Sequence, residues 1–337
     1  MIEYGGLFFM RRYDVEQKLK SAAAFLIILI LFPYIVSVFV SGTGVRADRK
    51  EEGTYVQVKT EDARGKIQTE ELGWTEYLVG ILAEDLPRNT EHEAVKAQAV
   101  LVRTSLYQML SKEEKTLEAD YLTREEMQEK WGLSDYQQIY DSYSQAVEET
   151  DNIVLWYGDG YPWVPFHQSS NGMTRSAEEV TGSPDYPYIA ARECPLDKEA
   201  EDEIQVFSFD YGEIQEKCRD FLVAAEGEAE AQQGYSFGDF EIQSRDSAGY
   251  VQKLRIGKTV CTGDQFRDAL SLPSSDFSFS EDGEKIKITT TGKGHGLGMS
   301  LWTANEMAKE GKTYEEILNF FFEGTSLKND VQESDLI

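Results

Sequence analysis

The hydrophobic pattern changes period several times along the chain, and each change marks an element. Residues 22–40 (AAAFLIILILFPYIVSVFV) are nineteen positions without a charge. As a helix rising ~1.5 Å per residue they reach about 28 Å, close to the ~30 Å hydrocarbon core of a bilayer. That is longer than the ~7–15 apolar residues of a cleaved leader, so an uncleaved single-pass anchor is expected. Arg11, Arg12, Lys18 and Lys20 precede it and Arg46, Arg49, Lys50 and Lys59 follow, a tie in flanking charge. Long domains translocate largely regardless of charge, so the expected arrangement keeps the short N-terminal tail inside and the C-terminal part extracytoplasmic at the cell membrane.

After a polar stretch, residues 42–70, the period becomes helical. WTEYLVGILA, residues 74–83, has apolar positions at helix spacing, and Pro87 turns the chain away from the α region, so the helix ends near Glu84. Thr90-Glu91-His92-Glu93 has the form of a capping box. It opens a helix whose residues 94–110 are apolar almost all round, as in a helix buried on most sides. Lys96 and Arg103 project from one face of it. With no acid partner on their own helix they need counter-charges from elsewhere, and Glu84 is the nearest candidate.

Thr123-Arg124-Glu125-Glu126 is a second capping box, and residues 136–148 are amphipathic. The period then shortens: residues 153–157, the turn Gly158-Asp159-Gly160 and residues 161–166 read as a β-hairpin. It delivers a loop of hydrogen-bonding side chains, His167-Gln168-Ser169-Ser170-Asn171, ending at Gly172. Residues 196–234 are the most acidic and least patterned, and are expected to be mostly solvated surface with one helix over 214–225. Strands follow at 240–244, 250–256 and 285–290, then a glycine-rich run at 292–300, a helix to about Lys309 and another over 314–322. The fold class is α+β, with a helical lobe followed by a β-rich one. The expected divisions are a tail at 1–21, the anchor at 22–40, a linker at 41–70, the ectodomain at 71–327 and a C-terminal tail at 328–337.

Composition sharpens this picture. The chain's 337 residues suit about two domains, and 41% hydrophobic with 12% aromatic describes a folded protein. A net charge of −28 excludes general nucleic-acid binding. The first 44 residues hold four basic and three acidic side chains, so the acidity lies wholly beyond the anchor. Cys194, Cys218 and Cys261 lack metal-site spacing and read as buried free thiols, with one bridged pair as the alternative.

Two histidines stand in suggestive loops. Four glycines surround His295, yet the run is not a phosphate loop, because Lys293 precedes the glycines and no Gly-Lys-Ser follows. A metal held by His167 and His295 would need a third ligand, and none stands at a suitable spacing. No metal and no cofactor are expected.

Three stretches, in order, resemble the blocks of the stage II sporulation protein D (SpoIID/LytB) family. The pattern EMP, a short loop and EALKAQAVAART appears as EDLP and EAVKAQAVLVRT; FHSTSGGxT appears as FHQSSNGMT; GHGVGMSQYGA appears as GHGLGMSLWTA, followed by GKTYEEIL and EGT. The resemblance implies a membrane-anchored lytic transglycosylase that cleaves denuded peptidoglycan glycan strands during engulfment in sporulation. It also implies a substrate groove, and partners in a wall amidase and a multispanning membrane protein. Carried over by motif, the catalytic glutamate falls on Glu84. The family's polar positions fall on Lys96, Arg103, His167, Ser169, Ser170, Thr174 and His295, taken as substrate-binding. Some members bind zinc through His and Cys between the first two blocks; this chain has neither between Gln108 and Phe166.

The residues agree with a one-carboxyl mechanism. Ordinary glycosidases need two carboxyls about 5–10 Å apart, whereas adjacent Glu84 and Asp85 point in different directions. A lytic transglycosylase needs one, because the substrate's own hydroxyl attacks. The departures in the second and third blocks leave an alternative: a non-catalytic wall-binding module or enhancer of a partner amidase.

Overall fold

The computed structural model describes residues 55–61, 66–112, 116–226 and 234–330. The expected tail at 1–21 and anchor at 22–40 lie outside the described residues, as do 331–337. Among the described residues, no helix is long and apolar enough to cross a membrane.

The stretch expected to be linker holds a hairpin, β1 (Tyr55–Glu61) paired antiparallel with β2 (Ile67–Gly73). Val56 and Val58 are buried and alternate with exposed Gln57 and Lys59, whereas the first five residues of β2 are all exposed. That solvated strand is why the segment looks like a linker in the sequence. β2 runs directly into α1 (Trp74–Asp85), which is buried from Tyr77 to Ala83. α2 (His92–Ser111) is the central helix and packs against α1, and Trp74 stacks on Tyr107 with ring centroids 5.6 Å apart.

Of the two expected capping boxes, the one at Thr123 forms and starts α3 (Arg124–Trp131). The other does not. Thr90 Oγ1 donates to Pro87 O at 2.7 Å, and the Glu93 carboxylate is occupied by Lys96 Nζ and the Tyr314 N–H, so Glu91 becomes the N-cap of α2.

α4 (Tyr136–Glu149) leads into β3 (Ile153–Trp156). Tyr157 and Gly160 close a tight turn with two mutual backbone bonds, but the expected hairpin stops there. Pro162 and Pro165 have no N–H to donate, so the returning segment cannot extend the ladder. β3 takes its partner from the far end of the chain instead, pairing antiparallel with β12 (Ser326–Asn329), whose last two residues fall in the stretch expected to be a tail. β4 (Phe166–His167) pairs parallel with β11 (Met299–Ser300), which brings the second and third motif blocks side by side. α5 (Ala177–Thr181) follows β4, and α9 (Leu301–Lys309) and α10 (Tyr314–Phe321) follow β11; both of the latter contact α2.

The acidic run is largely exposed, as expected, but it is more ordered than its pattern suggests. It contains a short 3-10 turn (Pro195–Glu199), β5 (Ile204–Asp210), α6 (Tyr211–Lys217) and α7 (Arg219–Glu226). β6 (Phe240–Arg245), β7 (Val251–Ile256) and β8 (Thr259–Cys261) form one three-stranded sheet. After α8 (Gly263–Leu270), β9 (Phe277–Asp282) and β10 (Lys285–Thr291) join β5 in another, ordered β5-β10-β9. The chain is thus mixed α+β with two hydrophobic clusters. One is built from residues 56–194 together with 297–322, the other from residues 214–288 between them. The three cysteines are buried and unbridged.

Candidate active site

The second and third blocks meet because glycine permits it. Gly294 has φ +119°, and a Cβ there would come 2.5 Å from His167 Cβ; Gly298 has φ +70°, and a Cβ there would collide with the Pro165 carbonyl. Only glycine meets both demands at either place. His295 is thereby laid beside His167, with ring centroids 5.9 Å apart.

Backbone bonds fix both tautomers. His167 Nδ1 meets Leu297 O at 3.0 Å and must carry the proton, which leaves Nε2 a bare, buried acceptor. His295 Nδ1 accepts from Leu297 N–H at 3.0 Å, which leaves its Nε2 as the protonated one. Burial pushes each ring down to about 4, so both are neutral at physiological pH. Among the described residues no set of three or more His, Cys, Asp or Glu side chains is placed to hold a metal ion.

The serines of the second block face inward. The Ser170 N–H and Oγ–H both donate to Asp197 Oδ2 at 2.6 Å, and Ser300 Oγ and Thr303 Oγ1 donate to Asp197 Oδ1 at 2.8 and 2.6 Å. One buried carboxylate therefore ties the second block to the start of α9. Ser169 Oγ donates to Glu203 Oε2 at 2.9 Å. Thr174 is fully buried and exchanges bonds with the Arg192 backbone. Asp197 and Glu203 are absent from the residues singled out in the sequence, because they lie in the acidic run and their partners are far away along the chain.

The first block divides differently from expectation. Lys96 has an acid on its own helix after all: it pairs with Glu93 at 2.7 Å, reaches Glu149 at 3.4 Å and lies over the Tyr314 ring. Arg103 is fully buried and donates to Val147 O, Ile153 O and Thr150 Oγ1, joining α2 to the end of α4 and the start of β3. Both cations are turned into the protein, and neither pairs with Glu84. The Glu84 side chain is exposed. Asp85 is more enclosed: Gln98 Nε2 donates to its Oδ2 at 2.9 Å, Gln168 Nε2 donates to its carbonyl at 2.8 Å, and burial pushes its carboxyl up to about 6.

Beyond the end of α1 opens a cleft of about 300 Å³, whose lining starts at Leu86 and does not include Asp85. Its walls are the α1–α2 loop (Leu86, Pro87, Asn89, Thr90), Gln168 and Ser169, Ala200 and Glu201, Lys293, and α9 through Leu301, Trp302, Asn305 and Lys309. Of the residues singled out by sequence, Ser169 alone lines it. The others, Glu84 excepted, make contacts inside the protein, Arg103 joining α2 to α4 and β3 and Thr174 bonding the Arg192 backbone.

The family model described as SpoIID, Stage II sporulation protein, matches residues 63–157. The chain is 30% identical over 265 residues to Stage II sporulation protein D of Bacillus subtilis (strain 168), covering 75% of this chain and 73% of that one. It is also 30% identical over 281 residues to Stage II sporulation protein D of Bacillus amyloliquefaciens, covering 77% and 74%. A more distant relative, Amidase enhancer of Bacillus subtilis (strain 168), is 23% identical over 299 residues, with 74% of this chain and 40% of that protein covered. The chain therefore belongs to the stage II sporulation protein D family.

Proposed function

We propose that this chain is a membrane-anchored lytic transglycosylase that cuts denuded peptidoglycan strands during sporulation, with Asp85 as its general acid and base. The observation that carries the reading is the desolvated carboxyl of Asp85, one residue before Leu86 and Pro87 in the wall of a cleft lined by hydrogen-bonding side chains. A carboxyl raised to about 6 is still partly protonated near neutral pH, as a proton donor to a leaving oxygen must be. Exposed Glu84 lacks that setting. The quoted pattern EMP also has its acid two residues before the proline, as Asp85 stands before Pro87; Glu84 stands three before it.

In this mechanism Asp85 gives its proton to the glycosidic oxygen as the bond to the anomeric carbon breaks. The muramoyl C6 hydroxyl forms the new bond to that carbon and returns its proton to Asp85, so the carboxyl ends as it began. Gln98 holds one carboxyl oxygen and fixes the side chain's orientation. Residues 22–40 supply the anchor, with the N-terminal tail inside and the part after the anchor extracytoplasmic, and the partners are a wall amidase and a multispanning membrane protein.

Mass spectrometry of denuded strands incubated with the purified chain tests this. Anhydro-muramoyl ends are expected with wild type and Glu84→Gln, and about 100-fold fewer with Asp85→Asn. Activity that survives Asp85→Asn and falls with Glu84→Gln reverses the assignment. The similarity to a protein named Amidase enhancer favours a second reading, in which the chain cuts nothing and stimulates an amidase. Absence of anhydro ends together with faster peptide release by an added amidase would establish that one.

A further inference from the structure

One buried carboxyl has no part in that mechanism. Glu203 is 6% exposed and its backbone O accepts from Gly292 N at 2.9 Å, so its main chain is anchored to the glycine-rich loop. Its Oε2 accepts from Ser169 Oγ, while its Oε1 is buried without a hydrogen-bond partner among the described residues. Ser169, 2% exposed, lines the cleft, and two backbone bonds with Lys293, of 3.1 and 2.9 Å, hold it there.

The charged groups around Glu203 come from three segments. Asp197 of the 3-10 turn and Asp276 before β9 push its carboxyl up, and Lys293 of the glycine-rich loop pulls it down while itself reaching Asp202 at 4.0 Å. Burial outweighs the rest and raises the carboxyl to about 7.

We propose that Glu203 is a positioning residue that sets, through Ser169, whether the cleft lining offers an acetamido sugar a hydrogen-bond acceptor or a donor at that point. The proposal rests on the glycan-cleaving reading above. Ionised, Glu203 can only accept, so the Ser169 proton is committed to it and the serine's lone pairs are left for a sugar hydroxyl or an amide N–H. Protonated, Glu203 donates to Ser169 Oγ, and the serine's own proton turns toward the cleft. Lys293 and Lys309 already offer donors there, and so does Asn305, whose Oδ1 is taken by Glu91 N–H. Glu201, Asn89 and Gln168 supply acceptors elsewhere in the lining, but Lys293, bonded to Ser169 through the backbone on both sides, offers only donors, so the acceptor that Ser169 gains when Glu203 is ionised complements it and holds the sugar better.

Retention of the full chain on denuded strands can be measured by co-sedimentation in an Asp85→Asn background, so that nothing is cut. It should rise about fivefold from about pH 6 to about pH 8, the worth of one hydrogen bond. Glu203→Gln cannot ionise and Ser169→Ala has no hydroxyl; each should flatten the rise, and combining them should add nothing further. A rise that persists in both variants overturns the proposal while leaving glycan binding intact. No retention by any variant at any pH overturns it together with the substrate reading. A failure of the Asp85 assignment shows separately, in wild-type chain that binds strands and leaves them uncut.

Discussion

Gln98 Nε2 donates to Asp85 Oδ2 across 2.9 Å, so the acid that closes α1 is held by a side chain from the middle of the buried α2. This bond favours the ionised carboxyl and opposes the effect of burial. Gln98→Met keeps the shape and removes the donor, so the Asp85 carboxyl should rise further. The pH–rate profile for strand cleavage should shift to higher pH with the stability of the fold nearly unchanged; an unmoved profile would separate Gln98 from the acid.

Arg103 looks like a substrate ligand in the sequence and is a structural tie in the fold. Arg103→Met leaves Val147 O and Ile153 O buried without this donor and should cost roughly 2–4 kcal/mol of stability. Denaturant unfolding reads the loss directly. KM for glycan, measured well below the melting temperature, should stay within about twofold of wild type, because a side chain without solvent exposure touches no substrate.

Asp197 accepts four hydrogen bonds from Ser170, Ser300 and Thr303. Asp197→Asn turns an acceptor into a donor facing donors, of which the Ser170 N–H cannot rotate away. A loss of about 2–3 kcal/mol is expected, larger than for Ser300→Ala alone. Equal losses in the two variants would mean that the carboxylate is not the hub of this network.

Two pairs of groups tilt stability with pH in opposite directions. Asp85 and Glu203 are raised in the folded chain, to about 6 and about 7, so the stability they contribute is present in acid and is lost as pH rises through those values. His167 and His295 are lowered to about 4, so their contribution is complete above about 6.5 and is lost as pH falls toward 4. Melting temperatures across a pH series should therefore show Glu203→Gln gaining on wild type as pH rises through 7, and His295→Gln gaining as pH falls below 6. The opposite sign in either series would contradict the burial of that group.

Much of the helical part is legible in the sequence, because α1, α2, α4, α9 and α10 announce themselves through period and flanking residues. The features that escape depend on distant partners. β3 looks ready for a local return, yet Pro162 and Pro165 prevent one and the ladder is completed by β12. The carboxyls of Asp197 and Glu203 sit in a run whose composition suggests solvent, and nothing nearby in the chain tells of the serines that meet them. Lys96 and Arg103 do share a helix face as the spacing says, but spacing cannot tell whether that face meets a substrate or α4 and α10. The motif blocks mark the neighbourhood of the cleft more reliably than its wall.

The first hydrophobic cluster draws on residues 56–194 and again on 297–322, with the second cluster encoded between them. During synthesis the helical core therefore waits, unfinished, while the whole intervening sheet region emerges from the ribosome. Only when α9, α10 and β12 arrive can the early half be sealed. A message truncated shortly after β10 would leave the first cluster without its closing helices, an open product suited to rapid proteolysis.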